Sequence, residues 1–342
     1  MTNPKRVSLV CTVRDEEDNI AQLIESMIGQ SLAPDEVVIN DCNSQDATTA
    51  IVQQYIDMGF PIRLVVGGHN IPSGRNNAIF HATSEIVACT DAGLILDRHW
   101  LKRLVAPLLT DDADVAAGFF RPLPRSIFEL ALGSTNYREA NEIVPEQFMP
   151  FGKSIAFRKE VWEQVDGYPE WASHCEDLLF DLALKNIDAR FAFVPGAIVH
   201  FRPRSTIKQF YRQYFLYARG DAVGGLWLKR HVLRYAVYVF ALLLLIVGGF
   251  GWFILASGAV AYCIQPWHRL RLRHKEGVNG WQVLLAAVLV PGIRITGDVA
   301  KMLGYPVGWW ALYRRPQLLA ERNQWRATYL TPALTVPDST AE

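Results

Sequence analysis

Five acidic residues among the first 200 stand at the ends of apolar runs, Asp15, Asp41 and Asp91 after one and the pair Glu176-Asp177 before one. A carboxylate at the end of a strand can accept hydrogen bonds from a base or a ribose. It can also hold a hard divalent cation that neutralises a diphosphate. An acid in the first turn of a helix facing a cleft can take the proton of an attacking hydroxyl. Each position also has an ordinary structural role, as a turn acid, a helix cap or a complement to the helix dipole. Asp46, just before a helical segment, is expected to cap it, and Asp15, among four neighbouring acids, fits either role. Asp91 ends an apolar strand, where an unpaired carboxylate is costly without a metal or a donor. The chain has neither GxGxxG after its first strand nor a GxxxxGK phosphate loop, so glycines alone do not cradle a bound nucleotide.

The elements that must position these acids alternate between β-branched runs and helix-period segments, a pattern of mostly parallel sheet with crossover helices. Strands are predicted over residues 6–13, 36–40, 62–66 and 85–90, with helices over 19–30, 47–56 and 75–83. In such open α/β sheets ligands sit beyond the carboxyl ends of the strands, which is where the three acidic loops converge. A further apolar run over 191–199 ends at His200, more often a structural residue than a ligand.

At this point the sequence resembles the inverting glycosyltransferases of family 2, which have the GT-A fold. The likeness is carried by five segments in order. These are TVRDEEDNI after the first strand; EVVINDCNSQDAT, with Asp41, Ser44, Asp46 and Thr48 in register; GRNNAIFHAT; VACTDAG in the place of a DxD motif; and residues 152–177, ending in the Glu176-Asp177 dipeptide. It covers about residues 5–220. It implies Asp177 as general base with Glu176 in support. It also implies a nucleotide-sugar site of Thr12, Arg14, Asp15, Asp41, Ser44, Arg75 and Asp91, with Arg75 at a helix start facing the diphosphate. Gly93 replaces the second acid of DxD, leaving Asp91 to hold Mg²⁺ or Mn²⁺, with His200 or Asp97 as a further ligand. Trp171 and Tyr168 fit either an acceptor platform or core.

Charge divides the chain. Its 34 basic and 34 acidic side chains cancel, yet residues 1–200 hold 16 and 28 of them, and residues 201–342 hold 18 and 6. The basic half contains 33 residues, 235–267, without Asp, Glu, Lys or Arg, interrupted by Gly248-Gly249 and flanked by cations on both sides. By the positive-inside rule both ends stay cytoplasmic, which predicts a hairpin whose arms are short for a full crossing. Residues 205–220 read as an amphipathic interfacial helix, and 281–293 as an interfacial or re-entrant helix rather than a third span. Five scattered cysteines and no leader-like N-terminus point to a cytoplasmic front half. Nucleic acid is disfavoured because the basic charge adjoins membrane-length apolar sequence.

The expected organisation is a GT-A domain over 1–203, an amphipathic segment over 204–230 and a membrane-associated tail over 231–342, with a hairpin at 232–267 and an apolar helix at 281–303. The expected function is transfer from a UDP-linked sugar to a lipid-linked saccharide acceptor at a membrane lipid surface. A polyprenyl-phosphate sugar transferase and a non-catalytic nucleotide- or partner-binding protein are the alternatives.

Overall fold

The computed structural model describes residues 5–330, which form two compact units. The chain runs β1 (Val7–Val13), α1 (Ile20–Ile28), β2 (Glu36–Asp41), α2 (Thr48–Asp57), β3 (Ile62–Val66), α3 (Ile71–His81), β4 (Ile86–Asp91), β5 (Leu94–Leu96), α4 (Trp100–Leu109), β6 (Val115–Pro122), α5 (Ile127–Asn136), β7 (Ile155–Arg158), α6 (Lys159–Gln164), α7 (Glu176–Asn186) and β8 (Phe191–Phe201). Helices follow: α8 (Ile207–Gly224), α9 (Leu228–Val247), α10 (Phe250–Lys275), α11 (Gly280–Arg314) and α12 (Pro316–Tyr329).

The first unit takes residues 5–121, 140–201 and 320–330. Its sheet has the order β3-β2-β1-β4-β7-β6-β8-β5. The four strands at the β3 end are parallel, as the alternation predicts, while β7 runs antiparallel to both β4 and β6. Both faces of β1, β2 and β4 are covered, which is why these strands read as continuous apolar runs. On one face Val10, Val38, Val87, Cys89 and Ile155 join Ala78 and Ile79 of α3 and Phe180 of α7. Late in the chain, Trp325 and Tyr329 pack against this same core; Trp325 meets Trp171 edge-on at 5.9 Å, and the Tyr329 hydroxyl donates to Asp166.

The expected helix start at Arg75 lies four residues too late. Asn70 caps the helix, its side chain accepting from the Ser73 N–H at 2.9 Å while the Ser73 hydroxyl accepts from the Asn70 N–H, and Pro72 occupies the first turn. This reciprocal pair satisfies two of the free donors at a helix end, and it puts Arg75 inside the helix.

The second unit takes residues 122–139 and 202–319, so its boundary departs from the expected one at 203 by recruiting α5. Its core gathers Leu130, Ala131 and Leu132 of α5, Phe210 and Tyr214 of α8, Cys263 and Leu270 of α10, and Ala286, Val290 and Ile293 of α11. The buried Arg269 donates to the carbonyls of Ser134 and Thr135 at the end of α5. Where a hairpin is expected, α9 and α10 meet at Gly248 and Gly249, both at positive φ. α11 is not the short helix expected; it runs through Pro291 for 35 residues. Among the described residues two helices, α9 and α11, are long and apolar enough to cross a membrane.

Candidate active site

The loops after β1 and β2 hold each other. The Asp15 N–H donates to the Ser44 hydroxyl at 2.9 Å, the Gln45 N–H to Asp15 Oδ1 at 2.8 Å, the Glu16 N–H to the Thr48 hydroxyl at 2.8 Å, and the Glu17 N–H to Asp46 at 3.0 Å. Asp15 makes this possible by adopting a left-handed φ of 53°. The buried Asp41 carboxylate accepts from both the N–H and the hydroxyl of Ser44. Asp46 accepts from the Thr48 N–H and hydroxyl but is not the cap expected, since Ala47 occupies the N-cap of α2; desolvation raises its carboxyl, and the hydrogen bonds it accepts outweigh that and hold it below the usual range. Thr12 at the end of β1 keeps a buried hydroxyl with no partner in the protein, and Arg14 is exposed beside Asp15, 3.8 Å away.

α3 delivers three consecutive polar side chains to three different elements. Asn77 donates to Asn40 at 2.6 Å, fixing the end of β2. Asn76 donates to the Tyr168 carbonyl at 2.8 Å and accepts from the Tyr168 N–H at 2.9 Å, fixing the loop before α7. Arg75 turns inward. Its side chain is 3% exposed, with Nη2 2.8 Å from Asp91 Oδ1 and Nη1 3.6 Å from Glu176 Oε1, and it lies 4.8 Å from the Tyr168 ring centre. Two glycines permit this approach. A Cβ on Gly152 would stand 2.7 Å from the guanidinium nitrogens, and one on Gly74 would stand 2.5 Å from Cys42 Sγ. The Arg75 Nη1 has no hydrogen-bond partner within the protein.

The structure thus joins Asp91 to Glu176 through one buried cation, with Asp177 next in sequence. Cys175, at a left-handed φ of 62°, turns the chain into α7 so that both acids fall in its first turn. Burial, and then the charge of Asp177, push the Glu176 carboxyl up to about 8, against the lowering effect of Arg75. One turn on, burial and then Asp177 raise the Asp181 carboxyl well above the ordinary range, and neither of its oxygens has a partner in the protein. A protonated Glu176 can donate where an ionised one cannot.

Asn76, Asn77 and Tyr168 complete the site's scaffold, and the Gly-Arg-Asn-Asn string was their available signal. Tyr168 is core as well as neighbour to Arg75, stacked on Phe180 at 4.1 Å. Gly93 lies in the turn joining β4 to β5 at a φ of +72°, with open space where a Cβ would be. Turn geometry therefore accounts for the glycine that replaces the second motif acid.

Among the described residues no three His, Cys, Asp or Glu side chains gather as a metal site. Asp91, 40% exposed, fits a hard cation that draws its other ligands from phosphate oxygens and water. His200 lies opposite Ile95 on β5 with a buried, unpartnered Nδ1; its electrostatic neighbours are Asp97 and Arg121, and burial lowers its basicity.

Residues 8–165 match the model of the family described as glycosyl transferase family 2. The chain is 23% identical over 237 residues to the probable glycosyltransferase YdaM of Bacillus subtilis, an alignment that spans 63% of this chain and 55% of that protein. In three dimensions it is similar to the mannosyltransferase PcManGT of Pyrobaculum calidifontis, solved with GDP-Man and Mn²⁺. The TM-score is 0.51 at 17% identity, covering 92% of this chain and 89% of the other. Parallel strands ending in acidic loops, an antiparallel β7 beside β4 and the segment-by-segment match agree: through residues 8–165 the chain is similar to glycosyl transferase family 2, on a GT-A fold.

Proposed function

We propose that this chain transfers a sugar from a nucleotide-sugar donor, UDP-linked, to a lipid-linked saccharide acceptor with inversion, on the cytoplasmic face of the cell membrane, in exopolysaccharide or cell-envelope glycan synthesis. The observation that carries this reading is the Asp91–Arg75–Glu176 arrangement with Asp177 beside it. Asp177 takes the proton of the acceptor hydroxyl as that oxygen bonds to the anomeric carbon, and the bond to the diphosphate breaks on the opposite face. Neutral Glu176 and buried Arg75 keep Asp177 and Asp91 apart and oriented. Asp41, Asp15, Ser44, Thr12 and Arg14 bind the nucleoside end.

A bound divalent cation, Mg²⁺ or Mn²⁺, supplies neutralisation of the diphosphate, and Asp91 would hold it. The similar fold of PcManGT, described with GDP-Man and Mn²⁺, supports this assignment, as it supports a nucleotide-sugar donor. Membrane attachment is supported by the basic, apolar hairpin.

The test is nucleotide release from a panel of nucleotide sugars in the presence of native membrane extract. Wild type is expected to turn over one donor and Asp177→Asn to fall to background. If the two behave alike at background, the reading fails. Full activity in excess EDTA would remove the cation.

A further inference from the structure

The second unit contains a polar layer for which sugar transfer has no use. Asp298 on α11 is buried, and its carboxylate accepts from the Arg234 Nε–H at 2.9 Å and the Tyr238 hydroxyl at 3.0 Å on α9, and from the Tyr262 hydroxyl at 2.7 Å on α10. One turn before Asp298, the Arg294 guanidinium lies 4.1 Å from the Tyr262 ring centre, and its buried Nε has no hydrogen-bond partner. Lys301 has Arg234, Arg294, Asp298 and Asp221 as electrostatic neighbours and stands 5.0 Å from the Tyr214 ring. Asp221 also meets His231 at 3.2 Å. Two carboxylates thus stand among three basic side chains.

Depth selects what such a layer meets. Between it and the Gly248-Gly249 apex the hairpin is apolar and outward-facing, with Leu242, Leu243, Leu245, Phe250 and Phe253 all exposed. Arg234 and Tyr262 each stand about 13 residues from the apex, or ~20 Å along a helix. A hairpin entering one leaflet of a bilayer whose hydrocarbon core is ~30 Å thick brings its base to the level of the lipid phosphates. Guanidinium groups at that level match phosphate oxygens in charge and geometry. Asp298, held by the two tyrosines, fixes Arg234 in place, and Arg294 Nε has no hydrogen-bond partner among the described residues.

We propose that Arg294, with Arg234 and Lys301 ordered around Asp298, forms a binding site for the phosphate group of a membrane lipid. The proposal rests on the hairpin's insertion in the membrane and is independent of the transfer chemistry. The phosphate has two sources, a bilayer phospholipid or the phosphate of a polyprenyl carrier.

The test uses the full chain in mild detergent, with native mass spectrometry reading retention of phosphatidylglycerol, a polyprenyl monophosphate, or oleate as an anion without phosphate. Wild type is expected to hold one phosphate lipid and to release oleate, and the better-held phosphate lipid identifies the source. Arg294→Gln is expected to weaken retention roughly tenfold, the loss of one charge-assisted hydrogen bond. Arg294→Lys, which keeps the charge but lacks Nε, should fall between. Retention of the phosphate lipids at wild-type strength by whichever variant keeps its helical dichroism overturns the proposal, and so does oleate held as tightly as either phosphate lipid. Sedimentation of wild type with phosphatidylcholine vesicles is run beside it. Vesicle binding without phosphate selectivity sinks only this site, whereas no vesicle binding sinks the hairpin reading on which it rests.

Discussion

At the residue scale, two adjacent acids lie in different surroundings: Glu176 is buried, and burial and then the charge of Asp177 push its carboxyl up to about 8, while Asp177 is partly exposed. Asp177→Asn is expected to lower kcat by about 10²–10⁴, the usual contribution of a positioned base, whereas Glu176→Gln should retain most of the activity below pH 8; initial rates across pH distinguish them. The folded-state pKa of Glu176 lies above its unfolded value, so its ionisation opposes folding. Stability should therefore fall as pH rises from the ordinary carboxylate range towards about 8, and Glu176→Gln should flatten that slope in urea unfolding. Arg75 pairs with Asp91, and Arg75→Ala is expected to cost about 3 kcal/mol in the same measurement, since it leaves that carboxylate without its buried partner. Little of this was legible beforehand. The sequence identifies Asp91, Glu176 and Asp177 as candidates by position, but it contains no sign that a residue placed at a helix start would instead be a buried link between them.

At the scale of elements, α3 does the most to assemble the site. Its Arg75, Asn76 and Asn77 reach β4, the loop before α7 and β2 respectively, and Gly74 lets the helix lie against the ends of β1 and β2. Gly74→Ala is expected to destabilise the chain by about 1–3 kcal/mol through overpacking against Cys42, Thr12 and Asn40, visible as a lower urea midpoint with an unchanged slope. The strands beneath were legible because β-branched runs ending in polar clusters are local signals, and the 62–66 strand matches residue for residue. The start of α3 was misplaced, because its mark in Asn70, Pro72 and Ser73 is an Asn–Ser pair, weaker than the usual Ser or Thr followed by Glu. The length of α11 was not legible. Pro291, Arg294 and Asp298 read locally as an ending, and only Arg234, Tyr238 and Tyr262, distant in sequence, make Asp298 acceptable inside a helix.

At the scale of the whole molecule, the acidic and basic halves of the chain approximate, but do not equal, the two structural units, because α5 joins the basic unit and residues 320–330 join the acidic one. Membrane attachment should reside in the hairpin. Phe253, 66% exposed on α10, is a suitable probe. Phe253→Asp is expected to weaken vesicle binding about a hundredfold, from the ~3 kcal/mol cost of a carboxylate in hydrocarbon, while nucleotide release without acceptor stays near wild type; flotation assays read the first and a phosphate-coupled assay the second. The return of Trp325 and Tyr329 to the core beneath Trp171 has a consequence in time. Synthesis proceeds from the N-terminus, so helices α8 to α11 leave the ribosome before Trp325 and Tyr329 do. The core of the first unit therefore stays incomplete until the helices of the second have all been made, and its final closure takes place on a chain in which they are already present.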